Sequence, residues 1–135
     1  MIDYAKHYVC GEEPDWIKEF KRCESYIESA LDYAHDTFNL QDIVDSMAVG
    51  DLQLWPGPNS AVITQIVNYP QKKVIHVFLA GGDMDEVKKL EEDLSIWGKH
   101  QGCKAVTLVG RPGWKKSFLK DIGYKCTQVQ MFKEI

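Results

Sequence analysis

Two short stretches of the chain carry the residues best suited to chemistry. In Gly110-Arg111-Pro112-Gly113-Trp114-Lys115-Lys116 a guanidinium lies in a glycine-flanked loop just ahead of a helix start. Backbone amides in such a nest, with the positive end of a helix dipole, can hold a phosphate or a carboxylate. Arg111, Gly113, Trp114 and Lys115 are therefore the anion-binding candidates, and the Trp114 ring can stack on a planar group or on the guanidinium itself. Lysines in a first helical turn oppose the dipole, which hints at a use for Lys115 and Lys116. A turn built from glycine and proline, a core-packing tryptophan and solvated lysines would account for the same residues.

The second stretch is Ala80-Gly81-Gly82-Asp83-Met84-Asp85-Glu86, at a strand-to-helix turn. Its glycines allow close approach of a ligand to the backbone. Its three carboxylates work the other way, each opposing a neighbouring anion by ~1 kcal/mol or more near a surface. Acids at a helix start are also ordinary caps. His76 lies mid-strand on the face shared with Val74 and Phe78, where it is a base if it meets a substrate, or a helix-covered core histidine. His35 and His100 fall near helix ends, where an imidazole suits the dipole. No pair of His, Asp or Glu has zinc-ligand spacing, so no metal is expected. Cys10, Cys23, Cys103 and Cys126 form neither a CxxC pair nor a finger-type array, and read as buried thiols in a reducing compartment.

These residues must be positioned by regular elements, and the apolar spacing supplies them. Residues 1–12 have no clear period and are expected as an irregular arm or edge strand ahead of a domain over 13–135. Pro14 and Asp15 open a helix whose buried face is Trp16, Phe20, Cys23, Ile27, Ala30 and Ala34, widened by Tyr26, Leu31 and Tyr33. Asn39, with Asp42 three residues on, caps a second helix that ends near Gly50. Asp51–Trp55, Ser60–Tyr69 and Lys73–Ala80 read as an antiparallel meander, with turns at Pro56–Asn59 and Pro70–Lys72. Trp55-Pro56-Gly57-Pro58 makes a rigid aromatic turn that suits either an exposed contact patch or a core anchor. Asp83 and Glu86 then start a helix lined by Met84, Val87, Leu90, Leu94 and Trp97, with a capping-box spacing. Cys103–Val109 reads as a buried strand, residues from Trp114 as a short helix burying Phe118, Leu119 and Ile122, and Tyr124–Phe132 as a last strand. The right-handed crossover rule makes the strands on either side of the 83–102 helix parallel. The expected fold is α/β (α+β), in the order α-α-β-β-β-α-β-α-β, with a mixed, mostly antiparallel sheet covered by helices on both faces.

Composition narrows the functional classes. Hydrophobic residues are 44% and charged residues 27%, as in soluble globular proteins. No apolar run reaches the ~18 residues of a membrane span, and no secretory signal pattern opens the chain, so export and membrane insertion are not expected. Net charge is −4, with residues 103–135 at +5 from seven basic and two acidic side chains, which leaves −9 for the rest. An acidic bulk argues against general nucleic-acid binding, while the basic end leaves room for one anionic ligand.

The element order resembles that of the GNAT (GCN5-related N-acetyltransferase) superfamily, apart from its usual first strand, which Tyr4–Cys10 would have to supply. The closing stretch Gly110–Tyr124 is similar to the last helix of that family with its terminal Gly-aromatic, and Gln130–Lys133 to its final strand. More narrowly, the Gly-Arg-Pro-Gly-Trp loop, Leu54-Trp55-Pro56 and Ala80-Gly81-Gly82 resemble small GNAT-like proteins of tailed bacteriophages, some of them suspected virion components. The resemblance implies acetyl-CoA as cofactor, held where two strands splay apart, with Leu79, Ala80, Gly81 and Gly82 as the cofactor-binding segment. It also implies two departures. The family's turn carries a basic residue that the Ala80–Glu86 turn lacks, and the position of its tyrosine acid, four residues before the Gly-aromatic, is Leu119. Leucine cannot protonate a departing thiolate. Tyr124, at the terminal aromatic position, and His76 are the remaining catalytic candidates. Three functions follow as expectations. The first is a GNAT-like protein with a degenerate cofactor site, acting without catalysis in the host cytoplasm or the virion, with phage structural proteins as partners. The others are an acyl-CoA-dependent N-acetyltransferase with an atypical cofactor turn, and a small-anion binder centred on Arg111.

Overall fold

A computed structural model describes residues 2–8, 11–111, 113–114 and 117–135. Three helices, α1 (Asp15–Leu31), α2 (Leu40–Ala48) and α3 (Met84–His100), accompany four strands, β1 (Gln53–Gly57), β2 (Ser60–Asn68), β3 (Lys73–Gly82) and β4 (Ala105–Leu108). The strands lie in the sheet in chain order, the first three antiparallel and β4 parallel to β3. The mixed sheet and its crossover match the expected fold class.

Each helix forms for reasons visible in its residues. Pro14 sits at the N-cap of α1, and Ile17, Phe20, Cys23 and Ile27 form its fully buried stripe. Asn39 and Asp42 make a complete capping box at α2, and Gly50 follows that helix with φ +83°. α3 buries Val87, Leu90, Leu94 and Gly98. Gly98 is tight because a Cβ there would lie 2.9 Å from Ile75 Cγ2.

Two cores share the sheet. α1 and α2 cover one face around Phe20, Ile27, Ile43 and Ile63, and α3 covers the other around Val62, Ile75, Leu90 and Leu94. The switch between faces along β3 comes from a β-bulge. Ile63 pairs with Leu79 and Thr64 with Val77, so Phe78 is an extra residue on β3. Phe78 and Leu79 consequently both pack toward the α1 side, whereas Ile75 and Val77 face α3.

Several expectations are corrected. Among its described residues the arm supplies no strand: Ala5–His7 is a 3₁₀ turn, its Lys6 and His7 reach Asp45 on α2, and Val9 and Cys10 lie outside the described residues. β1 runs through Pro56 and Gly57, leaving only Pro58 and Asn59 in the turn; an edge strand tolerates proline. β4 is half-buried rather than buried, since no strand of the described residues pairs along its outer side. The residues after Trp114 make a 3₁₀ turn, Phe118–Ile122, that buries Leu119 but leaves Ile122 40% exposed. Tyr124–Phe132 forms no strand. It is anchored instead at its ends, by the Tyr124 hydroxyl on Glu91 of α3 and by Phe132 stacked on His35 just past α1. A β-prone segment becomes a strand only with an edge to pair with, and these two anchors lead it between helices on opposite faces. Among the thiols, Cys23 and Cys103 are buried but Cys126 is exposed, and Cys10 lies outside the described residues.

Candidate functional site

The ladder between β3 and β4 runs from Val74–Ala105 to Val77–Leu108 and stops, while β3 continues to Gly82. Beyond Val77 β3 therefore has no β4 partner, and it is bulged there at Phe78. Beside the unpaired end of β3, a pocket of about 310 Å³ opens between Gly81 and Gly82, the carboxyl end of α1 (Ser29, Asp32, Tyr33) and Arg111. The Arg111 guanidinium carbon stands 4.3 Å from the centre of the Tyr33 ring, a cation–π arrangement. The two stretches singled out in the sequence thus meet, through a tyrosine that the sequence pattern had assigned to the buried face of α1. Tyr33 is in fact 58% exposed.

The glycines of this turn have internal reasons to be glycine. A Cβ on Gly81 would lie 2.6 Å from the carbonyl oxygen of Tyr26, so the strand packs directly on the α1 backbone. Gly82 has φ +98°, and a Cβ there would come within 2.6 Å of Ser60 Cα. The carboxylates are equally engaged. Asp83 caps α3 by accepting the Glu86 amide at 3.1 Å, and its own amide donates to the Asn59 carbonyl at 2.9 Å. The expected capping box is only half formed. The Glu86 carboxylate turns away to accept from the Asn59 amide at 2.7 Å and the Ser60 hydroxyl at 2.8 Å, tying α3 to the β1–β2 hairpin. Asp83 thereby occupies the amide-rich helix start where a phosphate would otherwise bind.

The anion nest expected around Arg111 is not assembled as one unit. Arg111 faces α1, whereas Trp114 packs into the α3-side core beneath Gly110, whose Cβ would meet the indole at 2.7 Å. A Cβ on Gly113 would meet nothing within 4 Å, and Pro112, Lys115 and Lys116 lie outside the described residues. Trp55 is likewise a core anchor, donating to Thr64 Oγ1 at 2.9 Å and meeting Trp97 edge-on.

Neither catalytic candidate reaches the pocket. His76 is half-buried on the face of Val74 and Phe78, with Nδ1 2.9 Å from Thr107 Oγ1 on β4. Burial lowers its pKa below the ordinary value of 6.5. The Tyr124 hydroxyl donates to Glu91 Oε1 at 2.9 Å, and burial, then the Glu91 charge, push its pKa far above the usual tyrosine range. Leu119 is buried and inert at the position where the family resemblance places an acid. Among the described residues no group of three His, Cys, Asp or Glu side chains could hold a metal. No helix of the described residues is long and apolar enough to cross a membrane.

No family model and no curated protein matches the sequence. Solved structures do match the fold. An aminoglycoside acetyltransferase from an uncultured soil metagenomic sample superposes with a TM-score of 0.67 at 11% identity, over 90% of each chain. A Trypanosoma brucei acetyltransferase gives 0.59 at 16% identity, over 83% of this chain and 94% of that one. A ribosomal-protein-alanine N-acetyltransferase from Brucella melitensis biovar Abortus 2308 gives 0.54 at 11% identity, over 81% and 91%. The chain has the GNAT acetyltransferase fold. At these identities the likeness concerns the fold, and function must be argued from the site.

Proposed function

We propose that this GNAT-fold protein works by binding rather than by acyl transfer, with a cofactor site closed to the diphosphate of acetyl-CoA. The observation that carries this reading is the start of α3, where the Asp83 carboxylate takes the Glu86 amide and Glu86 stands beside it on the hairpin. A diphosphate there would have to displace the Asp83 carboxylate from the Glu86 amide against the charges of both acids. Leu119 at the acid position and the commitment of the Tyr124 hydroxyl to Glu91 point the same way. Calorimetry with acetyl-CoA tests it: no saturable heat is expected at millimolar cofactor, and tight binding with acyl transfer to an amine would reverse the reading.

The narrower resemblance to small phage proteins extends the proposal to a role in the infected cell or the virion, with phage structural proteins as partners. Mass spectrometry of purified particles decides that extension, since a protein missing from them is no virion component. A second reading, an atypical acyl-CoA-dependent N-acetyltransferase, is favoured by one feature, the stretch of β3 beyond Val77 that β4 leaves unpaired. In that reading acetyl-CoA lies along Leu79–Gly82, and Arg111 supplies the positive charge that the turn itself lacks.

A further inference from the structure

The pocket beside Gly81 carries both signs of charge. Arg111 supplies the cation, and Asp32, at the C-cap of α1, supplies an anion in the same lining. Neither joins an ion pair among the described residues, so the two are not neutralising one another. Arg111 is laid over Tyr33 instead. The negative end of the α1 dipole adds to Asp32. The carbonyls of Ala30 and Leu31 are already taken by the amides of Tyr33 and Ala34, which leaves the Asp32 carboxylate as the strongest acceptor at this end.

A plain anion is a poor occupant of this space. It would gain Arg111 but meet Asp32 and a helix C-terminus within the same 310 Å³. A molecule bearing a carboxylate and an ammonium a few bonds apart satisfies both charges. The volume lies at the lower end of small-molecule pockets, ~300–1,000 Å³. Gly81 and Gly82 contribute no side chains, and the β3 edge beyond Val77 has no β4 partner, so backbone groups are open to a ligand there. We infer that the pocket binds a small zwitterion of the α-amino acid class, its carboxylate on Arg111 and its ammonium toward Asp32. Both side chains are exposed, so the affinity is in the millimolar range. This deepens the binding reading above by naming a ligand class for the cleft.

The test uses the full chain at low ionic strength, where such charge contacts are least screened. L-Leucine, isopentylamine (no carboxylate), 4-methylpentanoate (no ammonium), inorganic phosphate and acetyl-CoA are titrated separately by calorimetry and thermal shift. L-Leucine is expected to saturate, with each single-charge analogue at least ~10-fold weaker. Arg111→Gln and Asp32→Asn are each expected to abolish the leucine response while leaving the circular dichroism spectrum unchanged, both positions being exposed. The inference is overturned if 4-methylpentanoate or phosphate binds as tightly as leucine, if Asp32→Asn strengthens binding, or if leucine gives no response up to its solubility limit. The acetyl-CoA arm is separate: saturable binding there refutes the closed-cofactor reading and leaves the leucine result to stand or fall by itself.

Discussion

Replacing Glu86 by alanine should uncouple α3 from the β1–β2 hairpin. One carboxylate oxygen accepts both the Asn59 amide and the Ser60 hydroxyl, and Ser60 is fully buried. Hydrogen bonds to a charged group contribute ~1.5–3 kcal/mol each, and a buried donor left unpaired costs ~1–3 kcal/mol. The two bonds share one acceptor and the Asn59 amide is exposed, which brings the expected loss to ~2–4 kcal/mol. With an m-value of ~1–3 kcal/mol/M in urea, the unfolding midpoint should fall by ~1–2 M. Trp55 and Trp97 sit close together on the α3 face, so intrinsic fluorescence follows the transition. Glu86→Gln keeps an acceptor oxygen and should recover more than half of the loss. An alanine variant within ~0.5 kcal/mol of the wild type would show that the carboxylate does not hold the hairpin, and the picture of a self-occupied cofactor turn would fall with it.

Other perturbations probe different parts of the same account. Gly81→Ala places a methyl 2.6 Å from the Tyr26 carbonyl oxygen, on rigid helix backbone, and should cost ~1–3 kcal/mol by denaturant unfolding; a neutral result would mean α1 is not in contact with β3 there. Asp45 is held at a pKa of about 2, below its ordinary value of 3.8, by the hydrogen bond from Gln41 and then that from Lys6. Because the folded value is the lower one, its contribution is present above pH 3.8 and is lost as pH falls from there toward 2. Asp45→Asn should therefore flatten that part of the acid-unfolding profile, and an unaltered profile would count against the contact. Thiol labelling of the native protein followed by peptide mapping should modify Cys126 quickly and spare Cys23 and Cys103 until unfolding; burial also raises the Cys23 pKa. Rapid native labelling of Cys23 would contradict the packing of α1 on the sheet.

How much was legible in advance depended on whether the signal was local. Phe20, Cys23 and Ile27 of the α1 stripe, the Asn39–Asp42 box and the Asp83 cap are set by residues three or four apart and formed, although Ile17 joined the stripe, α1 ended at Leu31 before Ala34, and only the Asp83 half of its box closed. The meander and the parallel β4 followed from turn residues and crossover handedness. Tyr124–Phe132 has strand composition, yet its conformation was decided by Glu91 and His35, both far from their partners in the chain. The destination of the Glu86 side chain was equally hidden, because the hairpin that captures it is distant in sequence and the local box looked sufficient.

The same division holds for the site. From the sequence alone came the residue types: a guanidinium in a glycine loop, a glycine pair before an acidic helix start, and a leucine where an acid would be needed. Which of them share a space was decided only when α1 packed on Gly81 and brought Tyr33 and Asp32 beside Arg111, while Trp114 was drawn into the opposite core. Chemistry resides in side chains and can be read one at a time. Proximity is a property of the packed sheet and helices, where a missing Cβ at one strand position fixes what can stand next to it.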